Sequence, residues 1–548
     1  MVNQITSLSF SVDTNGGKEG TADFEKAIRL CGYGKFHYSI LLLCGAMFLC
    51  VGCQNGINAY ILPSAECDLN LSSEQKGLLN VAFLLGGVIS SLVWGVFADA
   101  YGRRYILLLT LFSDSVLSIA GSFSQSFRVL LFFRGLSGFF IGAPGSLVYS
   151  YLGEFHAERQ RVKAVCYVGF FWTLSWLILP GLAWIIIPMP MSLQFNGIVY
   201  NSWRLLLAII VMPTLLVTLI AIKYPESPKF LVSQGKTEEA LSILKKIYAI
   251  NTGNHEDEYP VKYLLCDDTA PVNDNKKGSG MLTQLLKNIW QQIKSLASPP
   301  LLNYAILCWT IYFANMFGYY GFGLWLPELF NRFENYHNLH PNITVGVCKL
   351  MHDLQPSISV VNNVTAIADN VINATVDTVG CSPDMDEMVF INSLTINAFC
   401  LLGNILSGYL ANKLGRRTMP VTTMLLAGVF GFAIYFVNSS LQILMVSCVF
   451  SLAIVTANFV ISSIVVDIFP THVGAVTICM MTCFGRLGAI ASNLAFGLLL
   501  DISCEVPIFL VGSIVICKYK LLLLAQDFAP YYFCHNSLFF FQSEDCWR

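Results

Sequence analysis

Three ionisable residues stand inside long apolar runs of the chain: Asp114, Arg134 and Arg486. A charge in hydrocarbon is costly, so each must be neutralised, snorkel to an interface or face a watery path, and each is a functional candidate by default. Asp114 falls about ten residues into its run and Arg134 about six into the next, antiparallel one, which puts both near mid-bilayer at about 1.5 Å per residue. A salt bridge between them is the expected intramembrane charge pair. Arg486 falls about twelve residues into a later run whose own span holds no acid to neutralise it. Three readings stay open for it: contact with an anionic or polar solute, snorkelling, or pairing with Asp114.

A second constellation lies at the ends of the runs. Asp99-Ala-Tyr-Gly-Arg-Arg104 follows one apolar run, and Asn412-Lys-Leu-Gly-Arg-Arg417 follows another 313 residues later. Glu154-Phe-His-Ala and Asp467-Ile-Phe-Pro are separated by the same 313 residues. Two motif pairs at one offset imply a duplicated unit, and such repeats are common in secondary transporters that rock two bundles about a midplane site.

The elements that must position these residues follow from composition. Of 548 residues, 55% are hydrophobic and only 12% charged, against about 25% charged in an average soluble domain. A soluble enzyme is excluded. The net charge of -2 leaves no basic surplus for nucleic acid. Apolar runs bounded by polar turns predict helices near 36–60, 75–98, 104–123, 128–150, 164–188 and 203–223, then near 301–326, 388–411, 418–437, 441–466, 474–499 and 504–524. The expected fold is an all-α membrane protein of twelve transmembrane helices in two pseudo-symmetric six-helix bundles. Residues 1–35 read as a cytoplasmic N-terminal segment without a signal peptide, 36–223 as the first bundle, 224–300 as a cytoplasmic insert and 301–526 as the second bundle. Within the insert, the stretch from Lys236 to Lys246 has the period of an amphipathic helix. Residues 527–548 form an atypical aromatic tail.

Bases in short loops set the orientation. Arg103, Arg104, Arg159, Arg161, Lys163, Lys413, Arg416 and Arg417 mark one side, against essentially Lys76 and Arg128 on the other, so both termini are expected in the cytoplasm. The glycosylation triplets at Asn342, Asn363 and Asn373 then fall in a large exoplasmic loop at about 328–387. Cys348 and Cys381 share that loop and are a candidate disulfide, while most other cysteines lie inside spans as small packing residues. His337 and His340 have ligand spacing, but nothing completes a site, so neither a metal nor a cofactor is expected.

The Asp-x-x-Gly-Arg-Arg turn, Arg134-Gly-Leu-Ser-Gly138, Glu154 and Pro225-Glu-Ser-Pro-Lys-Phe-Leu231 together resemble the major facilitator superfamily near its sugar-porter branch. Ile61-Leu-Pro-Ser-Ala-Glu66, Asn201-Ser-Trp-Arg204 and Gly318-Tyr-Tyr-Gly-Phe-Gly-Leu-Trp-Leu-Pro327 narrow the likeness to the synaptic vesicle glycoprotein 2 and related-protein group. The resemblance implies a cytoplasmic latch built from Asp99, Gly102, Arg103, Arg104, Glu154, Glu226, Arg416, Arg417 and Asp467, in which Arg103 and Arg104 reach carboxylates such as Glu154 and Glu226 when the cytoplasmic mouth is shut, with a static brace between helix ends as the alternative. It also implies a central cavity in which Trp172, Tyr319 and Tyr320 form an aromatic wall, with Gln54, Asn55, Asn315, Asn458 and Ser462 as uncharged polar candidates. Here the chain departs from the group: Val51 and Gln54 replace two carboxylates of the first helix, and Asn458 and Ser462 replace a Trp and an Asp of the tenth.

The expected function is transport of a small polar or anionic organic solute by alternating access. The alternative is a transport-silent vesicle glycoprotein acting through protein partners on its loops. The expected surroundings are a vesicle or plasma membrane bilayer, with no enzymatic activity and no nucleic acid.

Overall fold

The computed structural model describes residues 20–265 apart from 196, then 301–339, 385–414, 418–468, 471–500 and 502–528, with isolated positions between them. The first half consists of α1 (Phe24–Leu30), α2 (Lys35–Gly56), α3 (Asn58–Leu69), α4 (Ser73–Tyr101), α5 (Arg103–Ser122), α6 (Phe127–Gly153), α7 (Glu158–Ile186), α8 (Ser202–Ile209) and α9 (Met212–Ala221). The insert adds α10 (Pro228–Ser233) and α11 (Thr237–Thr252). The second half consists of α12 (Leu301–Leu339), α13 (Glu387–Leu414), α14 (Thr418–Ala433), α15 (Ser440–Ile468), α16 (Thr471–Leu499) and α17 (Glu505–Phe528).

Among the described residues, nine helical stretches are long and apolar enough to cross a bilayer, and the shorter apolar helices Glu387–Gly403, Val421–Phe436 and Glu505–Ile516 occupy the places of the remaining expected spans. Large apolar side chains such as Leu42, Phe132, Leu216 and Met445 point outward on these helices. A water-facing surface would not carry such a belt, whereas lipid tails accept it. The chain is a multi-pass integral membrane protein.

Duplication is visible in the packing. In the first half α4 packs on α6, α5 on α6 and α2 on α7; in the second α13 packs on α15, α14 on α15 and α12 on α16, which is the same scheme. The halves meet through α4 with α16 and α7 with α13, a symmetric pair of contacts, and through α3 with α12. Small residues allow the closest approaches: a Cβ added at Gly138 of α6 would lie 2.1 Å from the Phe83 carbonyl oxygen of α4. Close backbone approach of this kind drives helix association where lipid removes the hydrophobic drive. The start of α4 is fixed by a capping box in which Ser72 Oγ accepts from the Gln75 N–H and Gln75 Oε1 accepts from the Ser72 N–H, both at 3.2 Å.

Three features differ from the sequence reading. Strands β2 (Ser192–Phe195) and β3 (Ile198–Asn201) pair as an antiparallel hairpin where only a loop was expected. α12 continues to Leu339 rather than ending near 326, because Phe330 and Phe333 are buried and Glu328 and Arg332 pair with the first half. Cys348 bonds to Cys504, not to Cys381, with a Cα separation of 5.2 Å. The start of α17 brings Cys504 within the short reach a disulfide demands, which loop membership alone does not decide. Cys67 is disulfide-bonded as well; Cys381, Asn342, Asn363 and Asn373 lie outside the described residues.

The insert docks on the N-terminal segment. β1 (Thr21–Ala22) pairs in parallel with β4 (Tyr263–Leu264), and the Tyr259 hydroxyl donates to the Ala27 carbonyl at 2.6 Å. Asn251 of α11 donates to the Cys31 and Gly32 carbonyls and accepts the Phe36 N–H, each at 3.1 Å. Beneath this contact, burial pushes the Cys31 thiol up to about 12, so it packs as a neutral group.

Candidate functional site

The first-half charges form a closed network rather than a salt bridge. Arg134 donates through its two terminal nitrogens to the Gln54 side-chain oxygen at 3.0 Å and to the Gln54 carbonyl at 3.1 Å. Gln54 Nε2 in turn donates to Asp114 Oδ2 at 3.4 Å and to Ser118 Oγ at 3.0 Å, while Ser137 donates to Asp114 Oδ1 at 2.5 Å. The expected direct pairing of Asp114 with Arg134 is therefore corrected: the Gln54 amide stands between them, presenting its oxygen to the cation and its nitrogen to the anion. All three side chains are buried, and Arg134 also lies 4.4 Å from the centre of the Phe83 ring. Because both Asp114 oxygens are engaged here, pairing of Asp114 with Arg486 drops out. Asn55, half-buried, bonds back to the Val51 carbonyl at 2.8 Å.

Arg486 is placed differently. It projects from α16 across to the first half, where a Cβ added at Gly87 of α4 would lie 2.4 Å from its Nη1 and one added at Gly145 of α6 would lie 3.9 Å from its Nη2. A side chain at Gly87 would displace the guanidinium from this position. Arg486 is half-buried in the middle of α16 and, among the described residues, makes no hydrogen bond or ion pair. The Tyr320 and Tyr312 hydroxyls lie within electrostatic range of it. Tyr320 meets Tyr319 edge to face at 5.1 Å, Tyr319 packs on Trp176 at 5.8 Å, and Trp172 and Tyr319 lie against the same buried cluster. Trp172 also packs on Phe48 at 5.2 Å. The aromatic residues named from the sequence thus form one string leading to the guanidinium. Asn315 donates to Asn458 and to the Ile454 carbonyl, tying α12 to α15 within the second half, and its own Oδ1 is buried without a partner. Ser462 lies on α15; its side chain is outside the description.

One end of the interface between the halves carries a constellation that sequence reasoning missed. Lys76 Nζ donates to Glu66 Oε2 at 2.7 Å and to Glu328 Oε1 at 2.8 Å. Arg332 donates to Glu328 Oε1 at 2.7 Å and to Ser73 Oγ at 3.1 Å. The Lys76 side chain is 2% exposed and that of Glu328 4%, so the pair crossing the halves is dry. Beside it, Asn58 donates to Asn80 at 2.9 Å, Asn80 to Asn493 at 3.0 Å and Trp325 to Asn493 at 3.1 Å, an amide relay that also crosses. An ionisable pair at the margins of two apolar runs was the available signal; the positions had instead been read as loop charges.

At the opposite end, Arg103 pairs with Asp99 at 2.6 Å and with Glu154 at 3.1 Å, and it lies 5.3 Å from the Phe230 ring centre. Gly102 has φ of +106°, a conformation that favours glycine, and Glu226 Oε2 lies 2.5 Å from where a Cβ would stand. The expectation that the Arg104 side chain reaches a carboxylate is corrected. Its backbone N–H donates to Glu226 at 3.0 Å, whereas its guanidinium turns to the Ile222 carbonyl. Glu226 Oε1 also accepts the Ser227 N–H at 2.9 Å, so backbone donors hold this carboxylate. These contacts all lie within the first half and its insert; Arg416 and Arg417 lie outside the described residues, as does the side chain of Asp467.

Comparison with known proteins agrees with this architecture. Residues 44–347 match the family model of the Major Facilitator Superfamily. The chain is 25% identical to human synaptic vesicle glycoprotein 2C over 585 aligned residues, covering 91% of this chain and 80% of that one. It is 24% identical to mouse synaptic vesicle glycoprotein 2B over 574 residues, covering 89% and 83%. Among solved structures, the partially occluded inward open conformation of the E. coli xylose transporter superposes with a TM-score of 0.60 at 15% identity, covering 90% of this chain and all of that one. At that identity the likeness speaks for the fold.

Proposed function

The chain belongs to the Major Facilitator Superfamily, and from that premise we propose that it carries a small polar or anionic organic solute across a vesicle or plasma membrane by alternating access. The observation that carries this reading is Arg486, a guanidinium at mid-helix that reaches into the first half without a hydrogen bond or ion pair among the described residues. An uncompensated charge in a low-dielectric setting is retained where something arrives to neutralise it. A solute carboxylate or phosphate would accept charge-assisted bonds there, worth about 1.5–3 kcal/mol each, with Tyr320 as a neutral donor and Trp172 and Tyr319 as the aromatic wall.

In the orientation favoured by the basic loops, both termini are cytoplasmic and the Lys76–Glu328 end faces the exoplasm. Solute would then enter or leave by separation of the halves at that end, alternating with opening at the Gly102 end. Proton coupling has little support, because Val51 and Gln54 carry no charge and Asp114 is bound into the Gln54 network.

Purified protein in liposomes, assayed against a panel of organic anions and neutral polar solutes with and without a proton gradient, tests the proposal. Uptake should fall in Arg486→Gln, Tyr320→Phe and Trp172→Ala at equal protein incorporation. Should all three match the parent, transport through this path is rejected. The names of the relatives favour one rival, a vesicle glycoprotein acting through its loops, for which these variants would behave normally in cells while loss of Asn342, Asn363 and Asn373 would not.

A further inference from the structure

Away from the central path, a cavity of about 520 Å³ opens at the Gly102 end between the foot of α2, the end of α9 and the insert helix α11. Among the described residues its lining includes three bases, Arg104, Lys223 and Lys246, and no carboxylate. The Arg104 guanidinium is only partly engaged: one terminal nitrogen donates to the Ile222 carbonyl, while Nε is buried with no hydrogen-bond partner among the described residues. The nearby Glu226 is already held by the Arg104 and Ser227 backbone N–H groups at 3.0 and 2.9 Å, packed against Gly102. The other wall is apolar, built of Ile222, Ile243 and Ile250 among others. Ile222 is 52% exposed and Leu219, one turn before it, 62%, so the apolar wall runs without interruption into the surface that faces hydrocarbon.

We propose that this cavity binds the head group of an anionic glycerophospholipid, its phosphate between Arg104, Lys223 and Lys246 and the start of its acyl chains against Ile222 and Ile250. The absence of a carboxylate from the described lining discriminates among head groups, since nothing there would meet the ammonium of a zwitterionic lipid. A water-soluble phosphate shares the anionic chemistry, but the isoleucine wall and its continuity with the lipid-facing surface favour the lipid. In the orientation proposed above the cavity opens toward the inner leaflet, where anionic lipids attract basic groups by about fivefold in affinity per Lys or Arg.

Native mass spectrometry of the full chain in detergent, titrated with dioleoylphosphatidylglycerol, which is anionic and has no ammonium, or with dioleoylphosphatidylcholine, tests the site without reference to transport. The first phosphatidylglycerol adduct should form at about tenfold lower concentration than the phosphatidylcholine adduct. Lys223→Gln and Lys246→Gln should each weaken it by about fivefold, and the pair by about thirtyfold. Lys229→Gln with Lys245→Gln removes the same charge outside the lining and should leave it intact. Inorganic phosphate at millimolar concentration should not displace the lipid. Equal binding of the two lipids, equal loss in the control pair, or displacement by phosphate at the concentration of the lipid would each overturn the proposal; the last would assign the cavity to a soluble anion. Both lysines are exposed, so the variants retain the fold, checked by monodisperse elution.

Discussion

Replacing Lys76 with methionine should loosen the halves at the Lys76–Glu328 end. The substitution keeps the stem and removes the charge, leaving Glu66 and Glu328 facing each other across the interface. Removing one partner of a buried pair costs about 3–5 kcal/mol because the other charge is orphaned. Two features lower that figure here: Glu66 is 34% exposed and reaches solvent, and Glu328 keeps Arg332 at 2.7 Å. A net shift of about 2–3 kcal/mol toward the separated arrangement remains, or roughly 30- to 150-fold in population. Hydrogen exchange of the reconstituted protein reads this directly, through peptides covering 66–80 and 489–500, whose Asn80 and Asn493 form the crossing relay. Exchange there should accelerate in Lys76→Met while peptides around Gly102 do not. Since the orphaned carboxylate is the cause, adding Glu328→Met should return exchange part of the way to the parent. If the single variant exchanges like the parent, or the double variant faster than the single, the ion pair does not hold the halves together.

Gly87→Val should abolish Arg486-dependent uptake at normal surface abundance, because even a Cβ would lie 2.4 Å from the guanidinium; unchanged uptake would mean that Arg486 is not held in this position. Uptake should respond little to a proton gradient, and Asp114→Asn should lower the melting temperature through loss of charge-assisted bonds worth about 1.5–3 kcal/mol each; gradient-driven accumulation that vanishes in this variant would refute the closed network. Peptide mapping without reduction should recover Cys348 linked to Cys504, and Cys504→Ser should destabilise the second half around the start of α17 by about 2–4 kcal/mol; a Cys348–Cys381 peptide in the parent would contradict the structure.

What the sequence made legible was local or repeated. The apolar runs, the 313-residue offset and the contact of Arg103 with Glu154 follow from patterns confined to one helix end or copied in register. The aromatic string at Trp172, Tyr319 and Tyr320 was reachable only through resemblance, since an aromatic in a span packs as readily against lipid as around a solute. Features that depend on rotation and register between helices were not readable. Gln54 marked a missing carboxylate, but its role as a bridge depends on how α2, α5 and α6 turn toward one another. Lys76 and Glu328 are 252 residues apart and sit where apolar runs fade, so composition assigned them to loops. Cys504 escaped because pairing by loop ignores which helix starts come together.

The two halves share a packing scheme but not a charge scheme, and this asymmetry bears on mechanism. In the first half every buried charge of the central network meets a partner of its own half: Arg134 through Gln54, Asp114 through Ser137 and Gln54. Such a network is rigid, since releasing any member leaves another unsatisfied in a low dielectric. In the second half Arg486 has no such partner among the described residues and lies instead over Gly87 of the other half. Rocking of the halves would therefore carry Arg486 relative to a fixed wall, whereas the Asp114 network would ride along unchanged. A solute anion bound to Arg486 can bias that motion only by interacting differently with the two arrangements. The first-half groups beside Arg486 are the Gly87 and Gly145 backbones and, next to Gly87, the Gly138 carbonyl, and among the described residues none of these carries a charge. Discrimination between solutes should then reside in Tyr320 and the aromatic string, and the energy of opening in the Lys76–Glu328 pair.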